Sequence, residues 1–328
     1  MTWLLTGGAG YIGPHIIRSF LAAGRDVVVL DNLSNGCADN VPAGVPLIRA
    51  DLSDAGAVRS ALVDHHVTGV VHLAALKAAG ESVEQPLNYY RQNVMGMLVL
   101  LEEIVAAGVR NVVFSSSAAT YGDTRVEFLS EETPTVPSNP YGETKLVGEW
   151  MLRDLHRAAP VDYIALRYFN VAGAGSPALG DRGVNNLIPM VFRALTIGVP
   201  PSVFGADYDT PDGSCIRDYI HVADLAAAHL AAADRLEHLG PHERLSAVYN
   251  VARGQGATVF EVMDAVRSVT GIEFEPDVVA RRAGDPARVV ADPSNIERDL
   301  GWRATHDLRE MVATAWEGWL VHHPGLRP

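Results

Sequence analysis

Cysteine is nearly absent: only Cys37 and Cys215 occur in 328 residues. That excludes a disulfide-stapled scaffold and points to a reducing compartment. Basic residues are also in deficit, with 26 Lys and Arg against 39 Asp and Glu, a formal net charge of −13. No basic block offsets this acidity, which argues against a nucleic-acid partner and reads as simple solubility. No apolar run reaches the roughly 18 residues of a membrane span. The opening Met1-Thr2-Trp3-Leu4-Leu5-Thr6 has neither a basic leader nor a cleavage site. A cytoplasmic protein without membrane contact is expected. Internal repeats and low-complexity tracts are missing as well. His65-His66 and His322-His323 read as solvated pairs and His72 as a core residue, so no metal site is expected.

What is present fits a globular chain, 48% hydrophobic and 20% charged. Its length exceeds one usual core, so two domains or one large lobed unit follow. Trp3 to Leu5 reads as a short buried strand running into Thr6-Gly7-Gly8-Ala9-Gly10-Tyr11-Ile12-Gly13. A helical segment from Pro14 to Ala23 follows, then a strand from Val27 to Leu30 that ends in Asp31. Glycines at 7, 10 and 13 let the backbone turn tightly and approach a pyrophosphate seated on the helix start. Asp31 lies 18 residues beyond Gly13. There it accepts hydrogen bonds from an adenosine ribose and repels a 2′-phosphate, so the expected cofactor is NAD rather than NADP.

The alternation continues with strands at 46–50, 69–73, 111–116 and 163–167 and helical stretches at 55–65 and 86–107. This predicts an α/β fold, a doubly wound parallel sheet of Rossmann type, with ligands outside the carboxyl ends of its strands. Asp51, Ala74, Ser115 to Ser117 and Tyr168 to Asn170 all fall at such ends. Residues 1–172 form the expected NAD-binding domain. Residues 173–328 form a smaller substrate-binding lobe, richer in Gly, Pro, Asp and Asn, from which a strand near 248–251 returns to the large sheet. The lobe's helical stretches (187–197, 222–238, 258–270, 307–321) show no regular strand partners.

The stretch Tyr141-Gly142-Glu143-Thr144-Lys145 carries the chemistry. Asn139 or Ser138 suits an N-cap and Pro140 a first helical position, so Tyr141 and Lys145 share a helix face. Alone, that is ordinary helix spacing. A phenol with a pKa of about 10 is a poor base at neutral pH, and a nearby ammonium would lower it. Hydroxyls of Ser115 to Ser117 at a strand end would bind the alcohol being deprotonated. With NAD this suits hydride abstraction from a secondary alcohol.

Thr6 to Gly13, Asp31-Asn32, Lys77 to Ser82, Ser115 to Gly122, Tyr141 to Lys145, Arg167 to Asn170, Arg217 to His221 and Asn295 to Trp302 together resemble one family. It is the UDP-glucose 4-epimerase group of the extended short-chain dehydrogenase/reductases, and the likeness spans essentially the whole chain. The resemblance implies Ser117, Tyr141 and Lys145 as catalytic residues. It implies cofactor contacts from Gly7, Gly10, Tyr11, Ile12, Gly13, Asp31, Asn32, Asp51, Leu52, Leu73, Ala74, Ala75, Lys77, Gln92, Ser115, Tyr141, Lys145 and Phe169. For a UDP-sugar it implies Ser117, Asn170, Asn186, Leu187, Val203, Phe204, Arg217, Tyr219, Arg282, Asp285 and Val289. It further implies reversible oxidation at C4′ by tightly bound NAD, and a homodimer through helices near 86–107 and 140–157.

Three departures stand out. Ala119 stands where a hydroxyl is usual, and whether Thr120 replaces it is open; Gln92 stands where asparagine is usual; and Pro14 replaces a common polar residue. Related dehydratases and decarboxylases carry acids just after the serine cluster, where this chain has Ala118 and Ala119. Another NAD-dependent nucleotide-sugar oxidoreductase or epimerase, or a non-catalytic NAD sensor, is the alternative. The segment Arg281 to Asp292 resembles the stretch that closes over the sugar, with Val289 at its gate. A valine there predicts room for N-acetylated sugars.

Overall fold

The structure, a computed structural model, describes residues 1–282 and 285–323. The first six strands are β1 (Thr2–Thr6), β2 (Asp26–Asp31), β3 (Leu47–Arg49), β4 (Val67–His72), β5 (Asn111–Ser117) and β6 (Asp162–Tyr168). Strands β7 (Asn170–Ala172), β8 (Ser202–Phe204) and β9 (Ile216–His221) leave that sheet before β10 (Ser246–Val251) returns to it. The order across the sheet is β10-β6-β5-β4-β1-β2-β3, and every pairing in it is parallel. The order reverses between β1 and β4, which opens a crevice at their carboxyl ends.

Helices α1 (Gly13–Ala22), α2 (Ala55–Asp64), α3 (Ala79–Glu84), α4 (Pro86–Tyr89), α5 (Gly96–Ala107) and α6 (Pro140–Ala158) belong to this half. Alternate strand residues face opposite layers. Trp3, Leu5, Val27 and Val29 pack with Ile16, Ile17 and Phe20 of α1, whereas Leu4, Val28 and Leu30 pack with α2 and α5 through Val58, Leu62, Leu100 and Ile104. The stretch expected as one helix over 86–107 is interrupted by a π-helical turn, Tyr90–Met95, a feature the apolar spacing does not encode.

Later in the chain come α7 (Leu187–Thr196), α8 (Val222–Glu237), α9 (Val259–Thr270), α10 (Ser294–Leu300) and α11 (Leu308–His322), of which α8 and α10 pack into the core of the large sheet. The lobe's helices do have strand partners. Strand β9 centres a small sheet, flanked by β11 (Gly256–Thr258), β13 (Arg288–Val289) and β7, and β8 pairs with β12 (Asp277–Val279). Most of these strands are two or three residues long, too short to show a period of two. A separate core of Val191, Phe192, Tyr219, Val262, Met263, Trp316 and Trp319 holds them together. Among the described residues, no helix is long and apolar enough to cross a membrane.

Candidate active site

The glycine turn fills the crevice between β1 and β4. A Cβ added at Gly7, whose φ is +72°, would lie 2.7 Å from the Ala74 nitrogen. Only a glycine lets the β1 turn pass so close to the end of β4. At the end of β2, Asp31 accepts hydrogen bonds from the Ala9 amide at 2.9 Å and the Leu33 amide at 2.8 Å. These fix the carboxylate beside the turn. Asn32 donates to Asp51 at 2.8 Å. The Asp51 carboxyl is held below its ordinary value, chiefly by the Ser53 amide. Gly7, Asp31, Leu73 and Ala74 thus meet at the ends of β1, β2 and β4, with Asp51 tied in through Asn32, and Lys77 is exposed. A glycine turn packed against the end of β4, with a carboxylate fixed at the end of β2, fits a dinucleotide.

Gln92 is only half-buried, and the neighbouring Asn93 is the residue turned inward. Asn93 accepts from the Leu76 amide at 2.8 Å and donates to the Leu76 carbonyl and the Thr144 hydroxyl, both at 3.0 Å. It therefore ties the loop after β4 to α6, and the π turn is what brings it there. Two neighbouring amides with different fates gave no signal in the sequence.

Asn139 caps α6 by accepting from the Gly142 amide at 3.0 Å, and Pro140 opens the helix. A Cβ on Gly142 would lie 2.4 Å from the Ala119 carbonyl, so its absence lets the first turn of α6 touch the turn after β5. That contact brings Tyr141, 9% exposed, to Ser117, 8% exposed. Ser117 accepts from the Ala119 amide at 3.1 Å and keeps its own proton to donate. Thr120 donates to the Ser117 carbonyl at 2.9 Å. Its proton is therefore committed to the turn.

Lys145 follows one turn later and donates to the Ser115 carbonyl at 2.7 Å. Ser115 thus enters the site through its backbone, since its hydroxyl meets His229 at 2.9 Å. The expectation that Lys145 lowers the Tyr141 phenol does not hold in this geometry. Burial raises the phenol above its ordinary value, opposed by Ser117. Burial also pulls the Lys145 ammonium down to about 7, with Glu149 opposing. Dryness acts on both partners before charge attraction does.

Glu149 repeats the four-residue spacing, a signal that reading Tyr141 and Lys145 alone passed over. It is buried and paired in a fork with Arg167 at 2.8 and 2.6 Å, and it accepts from Ser116 at 2.5 Å. This network clamps α6 to the ends of β5 and β6.

Two residues past β6, Asn170 lines a cavity of about 420 Å³. Asn186, Leu187, Phe204, Arg217, Tyr219, Arg282 and Asp285 line it too, together with Met190, Pro201 and Cys215, which the sequence did not single out. Arg217 donates to the Pro286 carbonyl at 2.8 Å and stands 3.6 Å from Asp285. Arg282 lies 3.7 Å over the Phe204 ring. Two guanidiniums and a carboxylate in a concave site suit an anionic ligand bearing hydroxyls. Of the residues expected at the UDP-sugar, Ser117, Val203 and Val289 do not line this cavity, and Phe169 was expected at the cofactor. Val203 points into the lobe core, where its backbone is fixed by pairing with Val278. Phe169 is 7% exposed and packs with Tyr121, Leu129, Ala252 and Ala291. Val289 joins that same group, with Ala118 beside it. Within the 281–292 segment, Ala283 and Gly284 lie outside the described residues.

The pattern of the NAD dependent epimerase/dehydratase family matches residues 3–252. A curated UDP-glucose 4-epimerase of Azospirillum brasilense is 43% identical over 96% of this chain and 91% of its own. The fold is similar to a UDP-glucose 4-epimerase from Stenotrophomonas maltophila crystallised with NAD and a formylated UDP-arabinopyranose. The TM-score is 0.93, with 37% identity over 99% of this chain and 100% of that one. The enzyme of Bifidobacterium longum, in complex with NAD+ and UDP, is similar at TM-score 0.90 and 37% identity, over 99% of each chain.

Proposed function

The chain belongs to the NAD dependent epimerase/dehydratase family, and from that premise we propose that it interconverts the C4′ epimers of UDP-hexoses. The observation that carries the reading is a complete buried Ser117–Tyr141–Lys145 cluster next to Ala118 and Ala119. A carboxyl group at those two positions would be needed for chemistry beyond C4′.

The cofactor cradle runs along Gly7 to Gly13, Asp31, Asn32, Asp51, Leu52, Ala74 and Ala75, with Lys77 and Lys145 reaching its nicotinamide end. NAD, when bound, supplies a reversible hydride acceptor and a positive charge beside Tyr141. The protein's own residues move the proton. Tyr141 takes it from O4′ and gives it back to O4′ once the 4-keto sugar has turned its other face to the cofactor. Ser117 donates to O4′ and holds it against the phenol. Arg217 and Arg282 anchor the diphosphate, so the sugar can turn while its nucleotide stays fixed. Incubation with UDP-galactose is expected to give UDP-glucose, and the reverse, with no NADH absorbance matching product. A steady NADH signal equal to product would mean net oxidation and remove the epimerase reading.

The sugar range is set in this proposal by Val289, which does not line the nucleotide cavity but packs on the same group as Ala118, the neighbour of Ser117. Its valine lacks the ring that would narrow the path of a turning 2-acetamido group, so UDP-GalNAc is expected to turn over as well. Adding a large side chain to a packed site costs about 1–3 kcal/mol. Val289→Tyr should therefore cut kcat/KM for UDP-GalNAc by roughly 10- to 100-fold and spare UDP-galactose. Equal losses on both substrates, or no UDP-GalNAc turnover by the unmodified enzyme, would put the gate elsewhere.

A cytoplasmic homodimer completes the reading. The two cysteines are unpaired, which fits a reducing compartment. Leu87, Met95 and Leu98 along 86–107 and Trp150 on α6 are 75, 55, 41 and 47% exposed, an apolar face that a second copy would cover. Leu98→Glu with Trp150→Glu is expected to give monomers by light scattering. A monomeric unmodified protein would sink the dimer.

A further inference from the structure

Strand β9 presents Arg217 and Tyr219 to the cavity, and strand alternation turns Asp218, between them, the other way. Asp218 is 1% exposed. One of its carboxylate oxygens accepts from the Arg253 amide at 3.1 Å. The other accepts from the Gly254 amide at 3.0 Å and the Ala291 amide at 3.2 Å. These amides come from two separate stretches, the turn after β10 and the segment after β13. A buried carboxylate is costly unless hydrogen bonds hold it, and here all of that holding ties the two stretches to β9. Gly254 belongs to the same crowding, with a φ of +71° and room for no Cβ, which would lie 2.9 Å from Pro293.

The segment 285–292 begins at Asp285 in the cavity and reaches the turn after β5, where Val289 and Ala291 pack with Ala118 and Tyr121. Along β9, the Ile216 amide donates to the Ala287 carbonyl at 2.8 Å, and the strand pairing ends with Val289 opposite Arg217. Asp218 carries the hold two residues further, to Ala291. On the other edge the Leu129 amide donates to the Val290 carbonyl and the Asp292 amide to the Leu129 carbonyl, both at 2.8 Å. Arg288 adds a hydrogen bond to the Glu127 carbonyl at 2.8 Å. The segment is thus a strap drawn from the nucleotide cavity to the catalytic turn and fastened along both edges.

We infer that Asp218 is a positioning residue for the sugar: its carboxylate fixes the strap, and the strap forms the wall that presents the sugar to Ser117 and Tyr141. This rests on the reading of the site as a C4′ epimerase. Asp218 acts through Ala291 and the 253–254 turn and faces away from the cavity. An asparagine of the same shape offers one acceptor oxygen, and its NH₂ would meet an amide N–H. Asp218→Asn therefore loosens the strap or the turn and leaves Arg217 and Tyr219 as they are.

The test is Asp218→Asn in the full chain, with UDP binding by calorimetry, kcat and KM on UDP-galactose, and thermal unfolding. The kcat should fall roughly 10- to 100-fold, the loss that a misplaced substrate brings when the reacting groups are unchanged. The UDP dissociation constant should stay that of the parent. Arg288→Ala, which releases the strap at its other edge without touching the cavity, should lower kcat in the same direction. If Asp218→Asn does not fold, Arg288→Ala decides, and an unchanged kcat there overturns the inference. An Asp218→Asn protein that melts earlier but keeps its kcat overturns it in favour of a purely structural carboxylate. UDP affinity falling in step with kcat overturns it in favour of a prop for Arg217. An unmodified protein that binds UDP but does not turn over UDP-galactose overturns the epimerase reading and this inference with it.

Discussion

Tyr141→Phe is expected to lower kcat by roughly 10²–10⁴-fold, the usual worth of a positioned general base. KM should change little, because the phenol's proposed work lies in the proton transfer rather than in holding the nucleotide, which Arg217 and Arg282 are placed to do. Folding should be untouched, since the ring stays and only a buried hydroxyl facing Ser117 is lost. The size of the effect follows from the environment. In the ligand-free protein the phenol is raised by burial and Lys145 is lowered to about 7 by the same cause. Near neutral pH the site therefore holds a protonated phenol beside an ammonium that is close to half-titrated. Charge arriving with the cofactor is what would tip the phenol toward its basic form. Steady-state kinetics at saturating UDP-galactose, with circular dichroism as the folding control, checks the prediction. Turnover near that of the unmodified enzyme would remove Tyr141 from its role.

How much of this could be read in the chain divides by sequence distance. The glycine turn, Asp31 and the Asn139–Pro140 start of α6 are local devices, each complete within a few residues of its own sequence. Short-range rules found them, and the parallel sheet followed from the alternation of strands with helices. Asn93, Glu149 and Arg167 were passed over because their partners come from other elements, across 17, 33 and 18 positions. Thr120, left open as a substitute hydroxyl, donates its proton within the turn, a contact that composition alone does not reveal. The direction of the Tyr141 shift was misread for a related reason. Spacing along a helix gives proximity, but burial is set by the whole fold. Strands of two or three residues in the second sheet carry no period at all, so only their pairing with β9 makes them visible.

Acid should unfold the protein between about pH 4 and 6, because four histidines are buried in neutral form. Burial lowers His15, His221 and His229 to about 4 and His72 to about 3. Each ring is committed to a partner. His72 meets Thr6 at 2.7 Å, His229 meets Ser115 at 2.9 Å, His15 accepts from Gly175 at 3.0 Å, and His221 accepts from Ala223 at 3.0 Å. In the unfolded chain all four titrate near 6.5. Between that value and about 4 the unfolded state binds protons that the folded state refuses, so stability rises with pH across the window and is lost as pH falls through it. Asp218 opposes this. Its carboxyl, raised by burial to about 7, keeps a proton in the fold that the unfolded chain releases, so it favours the fold at low pH. One carboxyl against four imidazoles does not reverse the sign. A shift of two units is worth about 3 kcal/mol, and two such groups already rival a typical domain stability of about 5–15 kcal/mol. Tryptophan fluorescence and circular dichroism across a pH series should show one cooperative loss of structure. His229→Gln, which removes a titrating ring and keeps an amide able to meet Ser115, should move the midpoint to lower pH. A protein still fully native at pH 4, or a midpoint unmoved in that variant, would mean that the buried rings accept protons without cost to the fold.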